Sequence, residues 1–182
     1  MKMKKINKES ASFESKSLKH KDQRIGVFVD AQNMYHSARN LYQARVNFKE
    51  VLEVAVSGRI LIRAITYVIR TEGGEEKSFF EAMEKLGFEI KEKDLQIFAG
   101  GAKKADWDVG LAVDTIKLAD KLDVIVIVSG DGDYEPLVEY LKINKGCRVE
   151  TVSFGESTSG KLIDVVDEFT DLSKDKKRFL IK

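Results

Sequence analysis

The chain has 182 residues, of which 43% are hydrophobic and 34% are charged. That length is typical of one ordinary domain, and the hydrophobic fraction is large enough to form a core, which excludes a wholly disordered chain. No apolar run approaches the roughly 18 residues that cross a bilayer, no apolar segment follows the basic N-terminus, and the one cysteine has no partner for an internal disulfide. We therefore expect a cytoplasmic protein that is not inserted in a membrane.

The charges are unevenly distributed, although the net charge is only +1. Residues 1–24 carry a net +5 and residues 173–182 a net +4, which leaves −8 on residues 25–172. We predict one domain over residues 24–172 between two basic tails, residues 1–23 and 173–182. Such tails are either solvated ends that add to solubility or arms that help to retain RNA.

Short apolar runs alternate with amphipathic segments from residue 24 onwards. In chain order we predict a strand at 24–30, helices at about 33–45 and 48–57, a strand at 59–69, a helix around Phe79 to Leu86, a strand at 88–98, a helix at 106–122, a strand at 123–128, a turn at 129–133, a helix at 134–145, a strand at 147–153 and a helical segment at about 158–171. Strands that alternate with helices predict an α/β fold with a mainly parallel sheet of five or slightly more strands and helices on both faces.

The helix at 106–122 has apolar residues with helical spacing on one side, namely Val109, Ala112, Val113, Ile116 and Ala119. If that helix begins near Asp106, we expect Asp108 to point with Ala112 and Ile116 towards the sheet.

Acidic residues lie at the carboxyl ends of two predicted strands. Asp30 ends the first strand, Asp131 and Asp133 come just after the strand at 123–128, and Asp106 and Asp108 open the helix that leads into that strand. In an open parallel sheet, ligands bind beyond the carboxyl ends of the strands, where the strand order reverses. If the first and fourth strands are neighbours there, at least four carboxylates converge on one site.

Ionised carboxylates that converge require a compensating cation, because like charges repel. Oxygen ligands suit Mg²⁺ or Mn²⁺, and such ions can bind a phosphodiester and generate a hydroxide nucleophile from water. The two histidines, His20 and His36, occupy no strand-end position, so a Ser-His-Asp site has no support. The alternative is structural, with Asp30 and Asp133 as helix caps and Asp131 as a turn residue.

Three motifs in the sequence resemble a known family. They are Val27–Asn33 (VFVDAQN), Asp108–Asp114 (DVGLAVD) and Ile127–Val138 (IVSGDGDYEPLV). In this order they resemble the NYN-domain proteins, specifically the LabA-like branch of the PIN-like nucleases, and the similarity covers roughly residues 25–172. The resemblance implies a PIN-like Rossmannoid fold and an Mg²⁺- or Mn²⁺-dependent site for RNA cleavage.

By position, the resemblance assigns metal binding and catalysis to Asp30, Asp108, Asp131 and Asp133. Asn33 lies beside them and either caps the following helix or positions water or phosphate. Relatives often place Lys-Gly and an apolar residue before the central Asp, whereas Lys-Ala-Asp-Trp precedes Asp108 in this chain. Asp106 therefore stays an alternative ligand.

Several neighbours of these acids are candidate contacts to a nucleic acid. Lys103 and Lys104 lie on a glycine-bearing loop and either hold backbone phosphates or are solvated. Three aromatic residues adjoin a site acid and either stack on unpaired bases or pack into the core, namely Tyr35, Trp107 and Tyr134. Ser129 either caps a turn or contacts phosphate.

We therefore hypothesise a metal-dependent ribonuclease that cuts within single-stranded RNA by means of a metal-activated water. A second hypothesis is a non-catalytic RNA-binding or regulatory module on the same fold. A third is a phosphohydrolase, because Asp131-Gly-Asp133 resembles the Asp-x-Asp of haloacid-dehalogenase-like phosphatases, although that motif normally follows the first strand of its domain. The sequence sets no oligomeric state, and a homodimer is one of the alternatives.

Overall fold

Helices and strands alternate throughout the computed structural model, which describes residues 19–70, 77–94, 96–97, 103–104 and 107–182. In chain order they are β1 Arg24–Asp30, α1 Ala31–Tyr42, β2 Arg45–Val46, α2 Phe48–Val56, β3 Ile60–Arg70, α3 Lys77–Lys85, β4 Glu89–Asp94, β5 Gln96–Ile97, β6 Lys103–Lys104, α4 Asp108–Ala119, β7 Val124–Val128, α5 Glu135–Lys145, β8 Arg148–Ser153, α6 Gly160–Val165, β9 Glu168–Asp171, α7 Lys176–Phe179 and β10 Leu180–Ile181. None of the helices within these ranges combines the length and the apolar character that crossing a bilayer requires.

A six-stranded sheet in the order β4-β3-β1-β7-β8-β9 organises the fold. Every neighbouring pair in this sheet is parallel. At its centre β1 lies beside β7, with Ile25 opposite Val124 and Val29 opposite Val128. This arrangement confirms the predicted α/β fold with a mainly parallel sheet.

The central strand β7 is buried on both faces, which explains its uninterrupted apolar sequence. Alternate residues of the strand belong to two hydrophobic cores. Val124, Val126 and Val128 pack in the core that includes residues of α1, α2, α3 and α7. Ile125 and Ile127 pack in the core that includes residues of α4, α5 and α6. Helices therefore cover both faces, as the sequence predicts.

Helix α4 begins at Asp108, and its buried face differs from the predicted one. The buried residues of the helix are Leu111, Thr115 and Ala119, whereas Val109 is 73% exposed. Ala112 and Ile116, predicted to point to the sheet with Asp108, are partly buried and pack against the core that includes residues of α4, α5 and α6, but the fully buried stripe lies one residue earlier, at Leu111 and Thr115. Asp108 still lies on the buried side, because it is three residues before Leu111.

The C-terminal part of the chain also differs from the prediction. The helical segment expected at about 158–171 ends at Val165, and residues 168–171 form β9, the sixth strand of the sheet. Residues 173–182, expected as a basic tail, continue into α7 and β10, where Leu180 and Ile181 pair with β2. Phe179 is buried in the hydrophobic core and fixes this segment to the domain. In the N-terminal tail predicted at residues 1–23, residues 1–18 lie outside the described residues.

A buried ion pair connects Arg59, just before β3, with Glu150 in β8. Two guanidinium nitrogens of Arg59 donate to the two carboxylate oxygens at 2.8 and 2.9 Å, and the two side chains are 1% and 4% exposed. Arg148 donates to Glu150 at 2.9 Å. Burial alone raises the pKa of Glu150, but the hydrogen bonds from Arg59 and Arg148 outweigh it and hold that pKa below its ordinary value.

Candidate metal centre

The carboxyl ends of β1 and β7 form the point where the strand order reverses. From β1 the chain continues to β3 on one side, and from β7 it continues to β8 on the other side. The two strands are parallel neighbours, so Asp30 and the loop after Val128 lie at the same edge of the sheet. This juxtaposition confirms the expectation that the first strand and the strand at 123–128 flank the switch point.

Three aspartates come together at this edge. One carboxylate oxygen from each of Asp108, Asp131 and Asp133 lies within 4.8 Å of the other two. Asp108 is the first residue of α4, while the other two lie on the loop after β7. The carboxylate of Asp131 accepts a hydrogen bond from the backbone N–H of Asp133 at 3.0 Å, which fixes the loop. We call these three residues the aspartate cluster.

Asp30 lies next to the aspartate cluster and is the most buried acid of the site, at 8% exposure. Its side chain caps α1 by accepting the backbone N–H of Asn33 at 3.0 Å. Burial is the main reason why the pKa of Asp30 is above its ordinary value, and the nearby charges of Asp108 and Asp131 raise it further. The capping role of Asp30 is therefore observed. Its role as a metal ligand stays a prediction, because the described acids whose oxygens converge are Asp108, Asp131 and Asp133.

Tyr134 joins two of these acids from inside the protein. Its hydroxyl donates to a carboxylate oxygen of Asp108 at 3.0 Å and lies 3.4 Å from an oxygen of Asp30. The ring belongs to the hydrophobic core and is 2% exposed, and burial raises the pKa of Tyr134 far above its ordinary value. A buried ring offers no face to a base, so of the two alternatives for Tyr134 the structure supports packing into the core and not stacking on RNA.

Asn33 and Ser129 also have defined structural contacts. The side-chain oxygen of Asn33 accepts the backbone N–H of Gly130 at 3.0 Å, which ties α1 to the loop after β7. The Ser129 hydroxyl is fully buried and accepts the backbone N–H of Asp131 at 3.2 Å. Ser129 therefore stabilises the turn and is not accessible to phosphate, whereas Asn33 lies directly at the site.

The remaining candidates for contact with a nucleic acid are two aromatic residues and two lysines. Trp107 packs against Tyr67 with a centroid distance of 5.4 Å and donates its ring N–H to the carbonyl of Val68 at 2.8 Å, so it fixes the start of α4. Tyr35 is 50% exposed on α1. Lys103 and Lys104 form β6, but their side chains, like residue 106, lie outside the described part of the chain. Their contact with phosphate stays a prediction.

The segment before α6 forms one further wall of the site, which the sequence analysis did not identify. A Cβ atom on Gly132 would lie 2.6 Å from the hydroxyl oxygen of Ser159, and one on Gly130 would lie 3.0 Å from the carbonyl oxygen of Ser157. The two glycines therefore allow this segment to approach the acidic loop closely. Glycines that alternate with acids are the only sequence signal for such an approach, and they do not identify the partner segment.

The aspartate cluster fits a hard divalent cation. Its donors are all carboxylate oxygens, and their mutual separations are short enough for a single ion to contact all three. Without a cation the same arrangement concentrates negative charge, and the charges of Asp108 and Asp131 add to the effect of burial in raising the pKa of neighbouring Asp30. Oxygen ligands alone favour Mg²⁺ or Mn²⁺ over metals that prefer imidazole or thiolate.

We predict that Asp30→Asn stabilises the metal-free protein. Asparagine keeps an oxygen for the N–H of Asn33 but removes a buried negative charge. A gain of about 1 kcal/mol corresponds to roughly 2–4 °C in Tm for a chain of this size. The carboxyl group of Asp30 binds its proton more tightly in the folded protein than in the unfolded chain. The stability of the wild type therefore falls as the pH rises through the raised pKa. Above that pKa the difference in Tm between Asp30→Asn and the wild type should be largest.

Thermal unfolding in EDTA at about pH 7 and at about pH 3 measures this effect. The variant should melt higher at the first pH and like the wild type at the second. Asp120→Asn, which affects an exposed acid paired with Lys145, is the control and should change Tm little. A lower Tm for Asp30→Asn at neutral pH would show that the charge of Asp30 stabilises the metal-free fold.

Comparison with known proteins agrees with the fold and the motifs. The NYN domain profile matches residues 24–173. The chain is 24% identical to the low amplitude and bright protein LabA of Synechococcus elongatus over 165 residues, which are 82% of this chain and 84% of LabA. The crystal structure of VPA0982 from Vibrio parahaemolyticus, a protein of unknown function, has a TM-score of 0.81 to this structure at 29% identity and covers 90% of this chain and 99% of VPA0982. Since the profile spans most of the chain and includes all three motifs, the chain belongs to the NYN domain family.

Proposed function

We propose that this protein is a metal-dependent endoribonuclease that hydrolyses phosphodiester bonds in single-stranded RNA. The observation that supports it most is the aspartate cluster at the switch point of the sheet, with three carboxylate oxygens within 4.8 Å of one another. Membership of the NYN domain family, which has a PIN-like nuclease fold, supports the same chemistry. In this proposal water supplies the nucleophile, so no protein nucleophile is required.

Each residue of the site has a definite task in this proposal. The aspartate cluster holds Mg²⁺ or Mn²⁺, and Asp30 adds a fourth carboxylate beside it. When bound, the cation supplies Lewis-acid stabilisation of the phosphate and acidifies the attacking water. The oxygen of Asn33 is engaged by Gly130, so its amide nitrogen is the atom that donates to a phosphate oxygen or to water.

Contacts to RNA are proposed for one exposed aromatic ring and for basic residues. Tyr35 on α1 is half exposed, which leaves its ring available to stack on an unpaired base. Lys103 and Lys104 are proposed to contact backbone phosphates, and the basic N-terminal segment adds non-specific attraction. Stacking requires unpaired bases, which favours single-stranded RNA over a duplex.

The variant Asp131→Ala separates a nuclease from a non-catalytic RNA-binding module. We expect the purified variant to lose metal-dependent turnover but to bind labelled single-stranded RNA with an affinity close to that of the wild type, because most of that affinity comes from contacts to the backbone and bases outside the cluster. Calorimetric titration with Mn²⁺ should show binding to the wild type and little to the variant. Full turnover by Asp131→Ala would remove the aspartate cluster from the mechanism, and RNA binding without any turnover by the wild type would favour the non-catalytic module.

A further inference from the structure

We propose that Tyr134 is a positioning residue that orients the Asp108 carboxylate for metal binding. The proposal rests on the metal centre described above and assigns to a buried side chain the task of setting its geometry. The ring of Tyr134 packs in the hydrophobic core. Its hydroxyl extends from the core to the carboxylate of Asp108.

The position of the Tyr134 hydroxyl is fixed by the backbone turn that carries the residue and by the burial of its ring. Tyr134 ends a short 3-10 helix, Gly132–Tyr134, that begins directly after Asp131. Its ring is almost completely buried, so the side chain has no room to change its rotamer. The loop that provides two acids of the aspartate cluster therefore also provides the hydrogen-bond donor that holds the third.

The two distances from the hydroxyl determine which acid it holds. Tyrosine has a single hydroxyl proton, so it donates fully to only one carboxylate at a time. The oxygen of Asp108 is at 3.0 Å and that of Asp30 at 3.4 Å, which makes Asp108 the acceptor. A carboxylate oxygen has more than one lone pair, so Asp108 can accept this hydrogen bond and still bind a cation.

This contact also counteracts the repulsion within the site. The aspartate cluster and Asp30 together bring four carboxyl groups to one edge of the sheet. The hydrogen bond from Tyr134 opposes rotation of the Asp108 side chain away from Asp131 and Asp133. Outer hydrogen-bond partners of metal ligands typically contribute about 10–100-fold to metal affinity by fixing the orientation of the ligand.

Tyr67 provides a matched control within the same structure. Its hydroxyl donates to a carboxylate oxygen of Asp114 at 3.0 Å, and Asp114 lies on α4, as Asp108 does. Both tyrosines are buried and both belong to the same hydrophobic core. Asp114 is paired with Lys91 and lies outside the aspartate cluster. Removal of the Tyr67 hydroxyl therefore reproduces the loss of a buried hydrogen bond to α4 without affecting the metal ligands.

The experiment compares Tyr134→Phe and Tyr67→Phe with the full-length wild type. Calorimetric titration with Mn²⁺ should show about 10–100-fold weaker binding for Tyr134→Phe and an unchanged affinity for Tyr67→Phe. The concentration of Mn²⁺ that gives half-maximal RNA cleavage should rise for Tyr134→Phe by the same factor, and saturating Mn²⁺ should restore most of kcat. Because metal binding also stabilises a folded protein, thermal unfolding of both variants in EDTA is measured as well. The two variants should lose similar stability, whereas only Tyr134→Phe should lose Mn²⁺ affinity.

Two further results complete the test. In an Asp108→Asn background, Tyr134→Phe should have no additional effect on Mn²⁺ affinity, because the acceptor it orients no longer binds the ion. If the wild type binds Mn²⁺ and Tyr134→Phe binds it equally well, the positioning role is wrong while the proposed function stands. If the wild type binds no divalent cation, the metal centre and the role of Tyr134 are both wrong.

Discussion

Replacing Asp108 by asparagine should abolish metal-dependent RNA cleavage and leave the fold intact. Asparagine has nearly the same size and still accepts the hydroxyl hydrogen bond of Tyr134, so the start of α4 is preserved. It lacks the negative charge that a hard cation requires of its ligand. Loss of a hydrogen-bond partner outside the ligands already costs about 10–100-fold, so we expect loss of a ligand to reduce turnover by at least about 100-fold.

Asp106→Asn is the comparison that tests the register of this acid. Asp108 supplies a carboxylate oxygen to the aspartate cluster, while Asp106 lies outside the described residues and stays the alternative that the sequence leaves open. With Asp108 as the ligand, we expect Asp106→Asn to cleave RNA at a rate close to that of the wild type under the same conditions. If Asp106→Asn were the inactive variant and Asp108→Asn were active, the family motif would have to be shifted by two residues. Thermal unfolding of both variants shows whether a loss of activity is caused by a loss of fold.

The second large effect that we expect is on stability, from Glu150→Gln. This change leaves the guanidinium of Arg59 buried at 1% side-chain exposure without its charged partner. Breaking a buried pair by removing one partner typically costs about 3–5 kcal/mol, which is a large part of the roughly 5–15 kcal/mol that stabilises a typical domain. Urea unfolding of the variant and the wild type measures the difference in the free energy of unfolding.

The same pair predicts a dependence on pH. The pKa of Glu150 is lower in the folded protein than in the unfolded chain, so its contribution to stability is complete above the ordinary glutamate pKa and is lost as the pH falls through the lowered value. The difference between the wild type and Glu150→Gln should therefore shrink in strong acid. Glu53→Gln, which affects an exposed pair with Lys49, should cost at most about 1 kcal/mol. A loss of stability as small as this for Glu150→Gln would show that other groups compensate the buried charge of Arg59.

The arrangement of the acids could be predicted from sequence because it follows from a rule of sheet topology. Parallel strands that flank the switch point bring their carboxyl ends together, so an acid at the end of β1 and two acids after β7 had to be close. The length of the chain between β1 and β7 does not affect the proximity of these acids. The identity of Asp108 as the third member depended on the family resemblance, and the structure places its carboxylate in the aspartate cluster.

The register of α4 could not be predicted with the same security, because apolar residues occur almost all around this helix. Both Val109 with Val113 and Leu111 with Ala119 have helical spacing. The buried stripe includes Thr115, whose hydroxyl donates to the carbonyl of Leu111 at 2.7 Å and is thereby satisfied inside the core. A polar residue on the buried side made the other stripe look more hydrophobic than the correct one.

Two other features depend on tertiary contacts that sequence patterns do not encode. Residues 173–182 are highly charged, and the buried Phe179 alone gives little indication that this segment packs on the domain. The hydroxyl of Tyr134 reaches Asp108 only because a 3-10 turn and the start of α4 meet, although the two residues are 26 positions apart. Composition predicted a tail in the first case. In the second, the sequence left stacking and core packing as alternatives for Tyr134 and did not indicate a contact with Asp108.

The most direct test of the proposed function is a cleavage time course with end-labelled single-stranded RNA and purified wild-type protein. One sample contains Mn²⁺, a second contains excess EDTA, and a third receives EDTA followed by an excess of Mn²⁺. We expect internal cleavage in the first sample, none in the second and recovery in the third, with Asp108→Asn inactive in all three. Equal cleavage with and without EDTA, or cleavage by Asp108→Asn at the wild-type rate, would contradict a metal-dependent mechanism at this aspartate cluster.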